Sequence, residues 1–266
     1  MVNVAVAGAG GRMGRMLVEA LLDAADLRLS GALVRNGSPL AGQDAGAALG
    51  RTTGVVMTSD PDQALRDARI LIDFTGPAAT LVHLEACVRL HIGMVIGTTG
   101  FSAGERELLR AAGKQIGLVV APNMSVGVNL VFKLLEVAAA ALGPQFDVEI
   151  SEIHHRNKRD APSGTALRMG EVVARARGTS LEGAAVYERH GANAPRREGS
   201  IGFAALRAGD IVGDHTALFA GPGERIEITH RASSRATYAE GSLAAARFLL
   251  GASPALYDMQ DVLGLR

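Results

Sequence analysis

The first half of the chain alternates short apolar runs with stretches whose leucines recur at helical spacing. Val2–Ala7 is a compact β-branched and alanine run, followed by a glycine loop over Gly8–Gly14. Arg15–Ala25 then carries Leu17, Leu21 and Leu22 on one helical face. Further strands are predicted at Leu29–Val34, Val55–Thr58, Ile70–Phe74, Met94–Gly97 and Leu118–Ala121, with helices over Ala78–Leu90 and Ala103–Ala112. Strand and helix in alternation predict a parallel sheet covered on both faces. Past residue 125 the pattern changes. A helix over Leu130–Leu142 leads to a strand at Val148–Ile153, a polar loop and a helix over Thr165–Ala176. Four strand-like runs then follow without helices: Ala185–Tyr187, Ile201–Leu206, Ile211–Phe219 and Arg225–Ala232. A last helix is predicted over Ala236–Leu250. Strands joined by turns alone point to a mixed or antiparallel sheet in a second domain of α+β type. The aliphatic stretch Val131–Leu142 reads as core rather than interface.

Composition narrows the function classes. The chain has 266 residues, with 27 basic and 27 acidic side chains. A protein held on nucleic acid or an anionic membrane mainly by charge leans basic, so neither partner is expected. No run of ~18 apolar residues predicts a membrane span. The first residues lack the basic flank and cleavage pattern of a signal peptide, and a cytoplasmic protein is expected. Cys87 stands alone among apolar neighbours, so an intrachain disulfide is impossible and a small buried hydrophobe is expected. Only Lys114, Lys133 and Lys158 are lysines. Arginine cannot lend and regain a proton near neutral pH, so a lysine inside a motif attracts attention.

The loop Gly8-Ala9-Gly10-Gly11-Arg12-Met13-Gly14 lies between the first strand and the first helix. Glycines there let the backbone turn and approach a pyrophosphate, whose charge meets free N–H groups at the helix start. The strict G-x-G-x-x-G spacing is not met, because Met13 occupies its last place; the context still predicts a Rossmann-like dinucleotide-binding domain. The second strand ends Val34-Arg35-Asn36, with no acid to hold the adenosine ribose. Arg35 instead suits a 2′-phosphate, which favours NADPH over NADH; the rival reading is one more solvated arginine. The loops Asp73-Phe74-Thr75-Gly76, Gly97-Thr98-Thr99-Gly100-Phe101 and Ala121-Pro122-Asn123-Met124-Ser125 follow the carboxyl ends of parallel strands, where such sheets bind ligands.

The densest chemistry lies in Glu152-Ile153-His154-His155-Arg156-Asn157-Lys158-Arg159-Asp160-Ala161-Pro162-Ser163-Gly164-Thr165. An imidazole titrates near neutral pH, and a lysine among cations can serve as a proton donor. Gly164 and Thr165 open a helix, a ready carboxylate site. The segment suits binding and protonation of a small anionic acid. Adjacent histidines on an extended chain point apart, so no metal site is expected. His230–Arg235 is a second polar knot, read equally as substrate neutralisation or as a hinge, while His83 and His91 read as ordinary surface or packing histidines.

Taken together, Val6–Arg15, Asp73-Phe74-Thr75, Gly97–Phe101, Asn123–Asn129 and above all the His154–Thr165 stretch resemble the bacterial 4-hydroxy-tetrahydrodipicolinate (dihydrodipicolinate) reductase family, nearly end to end. The resemblance implies a pyridine-nucleotide enzyme of the diaminopimelate route to lysine, reducing a cyclic unsaturated dicarboxylate to tetrahydrodipicolinate. By that resemblance His154 is a proton donor/acceptor and Lys158 a proton donor, with His155, Gly164 and Thr165 on the substrate. Gly8, Ala9, Gly10, Gly11, Arg12, Met13, Arg35, Gly97, Thr98, Thr99, Ala121, Pro122, Asn123 and Met124 would contact NADPH, or NADH. It further implies that residues 1–125 form the dinucleotide domain, completed by 235–266, and that 126–234 form a substrate-binding domain whose sheet builds a homotetramer. Family members often have an acid where this chain has Val34, which leaves the NADH usage open. Two other functions compete: a different two-domain NADP-linked dehydrogenase, acting on homoserine or a sugar, and a non-catalytic nucleotide-sensing regulator.

Overall fold

A computed structural model describes residues 1–191 and 195–266 of the chain. They form two compact units, residues 1–126 with 236–266, and residues 127–235.

In the first unit β1 (Val2–Ala7) runs into α1 (Arg12–Asp23) and β2 (Leu27–Leu33). There follow β3 (Met57–Thr58), α2 (Pro61–Leu65), β4 (Ile70–Asp73), α3 (Pro77–Leu90), β5 (Gly93–Ile96), α4 (Ala103–Gly113) and β6 (Gly117–Val120). α5 (Val126–Leu142) begins at the boundary of this unit. Residues on the two faces of β1 join different cores. Val4 and Val6 pack with Leu17 and Leu21 of α1, while Ala5 and Ala7 pack with Leu84 and Cys87 of α3. A strand buried on both faces reads as one apolar run, which is why Val2–Ala7 shows no polar alternation.

The second unit continues from α5 with β7 (Asp147–His154), α6 (Gly164–Ala176), α7 (Leu181–Ala184), β8 (Ala185–Val186), β9 (Ile201–Arg207), β10 (Gly213–Gly221) and β11 (Glu224–Ala232). Its five-stranded sheet has the order β11-β10-β7-β9-β8. β7 pairs with β10 antiparallel and with β9 parallel, the mixed arrangement expected from the turn-linked strands. Val128, Phe132 and Leu135 of α5 and Met169 and Val173 of α6 bury one face together with Val148, Ile150, Ala217 and Phe219. The stretch Val131–Leu142 is only half core, because Leu134 and Val137 stand exposed on the other side of α5.

The chain then returns to the first unit through α8 (Ala236–Leu249), β12 (Ala255–Tyr257) and α9 (Met259–Val262). α8 packs Leu243, Ala246 and Leu249 into the same core as Leu17 and Val4. β12, which the sequence pattern does not reveal, adds a parallel strand beside β6. The completed sheet has seven strands in the order β12-β6-β5-β4-β1-β2-β3, parallel throughout. Within it β3 to β6 follow the order of doubly wound dinucleotide-binding sheets, and direction reverses between β1 and β4.

Candidate active site

The reversal between β1 and β4 opens a crevice beyond their carboxyl ends, as such topology dictates. A cleft of about 500 Å³ lies there, lined by Gly8, Gly10, Gly11, Val34, Arg35, Phe74, Thr75 and His83 among others. Gly8 holds φ +71°, which few side chains tolerate. Gly14 is held still more tightly: a β-carbon there would stand 2.1 Å from the Gly8 carbonyl oxygen. The first turn of α1 therefore seats directly on the end of β1. Gly11 caps α1 without any side-chain hydrogen bond, so the N–H groups of that turn, at Arg12 and Met13, keep their capacity for an anion. Volume, uncapped helix start and close helix–strand approach fit a dinucleotide.

Not every predicted cofactor residue presents its side chain to this cleft. Ala9 is buried, and its N–H donates to the Leu33 carbonyl at 2.9 Å. Gly97, Thr98 and Thr99 follow β5, and Ala121–Met124 follow β6, on the same edge of the sheet. The Thr98 hydroxyl is engaged below the surface, accepting from Thr80 at 2.8 Å and from the Thr75 N–H at 3.1 Å. Met124 is fully buried, its carbonyl packed against Gly241 of α8, and offers no side chain to the cleft. His83 lies within α3, on a packed position. It lines the cleft, and its Nδ1 lies 2.7 Å from the buried Asp73 carboxylate. That carboxylate also accepts from the Thr75 N–H and hydroxyl at 2.9 and 2.6 Å.

The second unit gathers a different site. Along β7 the positions alternate strictly, and the buried set is Val148, Ile150, Glu152 and His154. Two apolar residues thus give way to an acid and an imidazole on the core-facing side of one strand. Register supplies their neighbours: β9 sets Arg207 beside His154, and β10 sets His215 beside Glu152. The Arg207 fork donates to both Glu152 oxygens, at 2.7 and 2.8 Å. His154 Nδ1 lies 2.6 Å from Glu152 Oε2, and the Ser163 N–H donates to Oε1 at 3.1 Å. Burial pushes the Glu152 carboxyl up, but Arg207 and His154 outweigh it and hold the group below the usual carboxylate range. His154 is held below its ordinary value, first by burial and further by the Lys158 and Arg207 charges, against the opposing pull of Glu152. His215 meets His154 edge to face with ring centres 5.0 Å apart, and burial above all brings it down to about 4.

The remaining predicted residues lie on the loop after β7 and at the start of α6. Lys158 is mostly buried along its stem, and its ammonium donates to both Asp160 oxygens at 2.9 and 2.8 Å. His155 is half-buried, one place past the strand end. Ser163 caps α6 by accepting from the Ala166 N–H at 3.1 Å and lies 2.9 Å from His215 Nε2. Gly164 and Thr165 form the first turn of that helix. His154, Lys158, Gly164 and Thr165 therefore belong to one unit, the cofactor loops to the other. Arg207 and His215 lie outside the Glu152–Thr165 segment, and Glu152 stands inside it without an assigned role. For Glu152 and His215 the signal is a titratable residue on the buried parity of an alternating strand; β9 does not alternate and offers none for Arg207.

A doubly wound sheet with a glycine loop at its reversal, joined to a unit carrying a buried cluster of an acid, an arginine and histidines, suits the class of two-unit, dinucleotide-dependent oxidoreductases. Residues 2–124 match the model for the N-terminal part of dihydrodipicolinate reductase, and residues 127–263 match its C-terminal part. The chain belongs to the dihydrodipicolinate reductase family. Its relatives include a 4-hydroxy-tetrahydrodipicolinate reductase of Burkholderia thailandensis, 60% identical over 99% of this chain and 98% of that protein. One from Nitrosomonas europaea has the same identity and the same coverage of both chains. Among solved structures, a dipicolinate-bound dihydrodipicolinate reductase from Paenisporosarcina sp. TG-14 shares the fold, with TM-score 0.80, 23% identity and 98% coverage of each chain.

Proposed function

We propose that this protein uses NADPH, in preference to NADH, to reduce 4-hydroxy-tetrahydrodipicolinate to tetrahydrodipicolinate in the diaminopimelate route to lysine. The first unit holds the coenzyme and the second the dicarboxylate with its proton donors. The observation that carries this reading is the grouping of His154 and Lys158 beside the Gly164–Thr165 helix start in a chain 60% identical to named reductases.

Loss of the 4-hydroxyl as water leaves a conjugated ring; a reduced nicotinamide would supply the hydride to it, and the electron pair left on the reduced ring must be met by a proton. Lys158 donates that proton; its contact with Asp160 is exposed and exchangeable, so the ammonium can turn to a ligand. His154 exchanges protons beside it. One substrate carboxylate accepts from the backbone of Gly164 and Thr165, where the start of α6 favours an anion, and His155 contacts the same ligand. Arg35, exposed at the rim of the coenzyme cleft, pairs with the 2′-phosphate, and Val34 offers no acceptor for a free ribose hydroxyl. The same family reading carries a homotetramer built on the five-stranded sheet, where Leu206 and Ile226 stand exposed.

Oxidation of NADPH followed at its nicotinamide absorbance, with freshly generated 4-hydroxy-tetrahydrodipicolinate, tests the proposal. Turnover with this acid and none with homoserine or sugars is the expected result. Nucleotide binding without turnover would instead place the chain among nucleotide sensors.

A further inference from the structure

The acid that His154 contacts has no free valence of its own. Glu152 is almost fully buried, and its two oxygens together accept from both arms of Arg207, from the Ser163 N–H and from His154. Four partners saturate a carboxylate's usual capacity, so Glu152 neither binds a ligand nor hands over a proton itself. An ionised carboxylate is an acceptor only, which makes the facing Nδ1 of His154 the N–H donor and leaves the lone pair of the neutral ring on Nε2. Nε2 has no hydrogen-bond partner among the described residues. It lies against Gly213, where a β-carbon would stand 2.9 Å away, so a glycine keeps that atom clear.

We infer that Glu152, clamped by the Arg207 fork, is a positioning residue that fixes the tautomer and orientation of His154 and thereby makes Nε2 the atom of proton exchange. This rests on reading His154 as the proton-exchanging group of the proposed reaction. The backbone explains why the arrangement is specific. Period-two alternation places residues 152 and 154 on one face of β7, and the β7–β9 register brings residue 207 alongside. Turning the imidazole over would set a ring carbon against the carboxylate and cost the Nδ1–Glu152 hydrogen bond, which burial penalises.

The charged and titratable groups facing the ring are Glu152 on its own strand, Arg207 at the end of β9, Lys158 on the following loop and His215 on β10. Glu152 and Arg207 act on it with opposite sign. The carboxylate favours the imidazolium, whereas the guanidinium opposes it. Opposite charges move the midpoint oppositely whatever their role, so the tautomer of His154 and the loss of kcat are the readouts that separate a positioning pair from one that only holds strands together.

The test uses the full chain and reads the imidazoles by long-range 15N–1H NMR across pH, alongside the pH dependence of kcat and of the KM for the dicarboxylate. Wild-type His154 is expected as the Nδ1–H tautomer. Glu152→Gln should lower its titration midpoint by about one pH unit and Arg207→Gln should raise it, the usual scale for one close charge. Glu152→Gln should also lower kcat at least tenfold while leaving the affinity for NADPH unchanged. A wild-type ring protonated on Nε2 would overturn the inference without any variant. So would midpoints that move together, or stay put, while both variants merely lose stability. If the expected tautomer and opposite shifts are found but no dicarboxylate is reduced, the functional reading fails and the positioning role stands.

Discussion

The coenzyme cleft and the Glu152–His154 cluster are made from different materials. In the first unit the glycine end of the cleft is backbone, with the N–H groups at the uncapped start of α1 and glycines where α1 meets β1. Side chains line the rest, among them Val34, Arg35, Leu40, Phe74 and Thr75, with His83 propped by Asp73. In the second unit the site is a knot of buried side chains, each holding the next in place. A backbone site draws its specificity from where the chain goes and tolerates exchange of most side chains around it. A side-chain knot gains chemistry but becomes vulnerable at every member, because removing one partner strands another in a poor solvent.

The contrast can be broken most sharply at Lys158. Lys158→Ala should lose most turnover, about 10²–10⁴-fold for a positioned proton donor, with NADPH binding unchanged by fluorescence titration. Lys158→Arg keeps the charge but not a transferable proton; restored turnover would show that charge alone suffices. The next effect is on stability. Between the ordinary histidine value and about 4, an unfolded chain takes a proton that folded His215 refuses. Stability should therefore fall as pH drops through that window, by up to about 3 kcal/mol from this group, and be insensitive to it above about pH 6.5. Urea unfolding near pH 7 and about pH 4.5 measures the loss, and His215→Asn should remove this share of it. The smallest expected change lies in the cleft. Arg35→Gln should raise the KM for NADPH about tenfold, as expected for one lost charge-assisted hydrogen bond, and leave the KM for NADH unchanged. Equal effects on both coenzymes would remove Arg35 from phosphate recognition.

Much of the first unit was legible because its signals are local. The glycine loop falls where an apolar run turns into a helical pattern, and the later loops follow recognisable parallel strands. α1 nevertheless starts at Arg12, ahead of the apolar spacing, because Arg12 is exposed and Gly14 packs on the end of β1 with no side chain to mark the period. β12 was not legible: three residues carry no periodicity, and its identity comes only from pairing with β6. In the second unit the Glu152–Thr165 motif was visible, but its support was not. Arg207 and His215 reach Glu152 through strand register, which no single stretch of sequence encodes. Glu152 itself lay within the motif, and its buried parity on β7 was the clue to its use.

The late return of the chain to the first sheet has a consequence for biosynthesis. β6 lies beside a strand that the ribosome makes only after the whole mixed-sheet unit has been translated. At ordinary elongation rates that interval is on the order of ten seconds. During it one border of the nascent sheet stands unpaired, and the groove reserved for α8 stays open. The newborn nucleotide platform is thus the part of this polypeptide with most need of chaperone cover, although its finished form is the more conventional half.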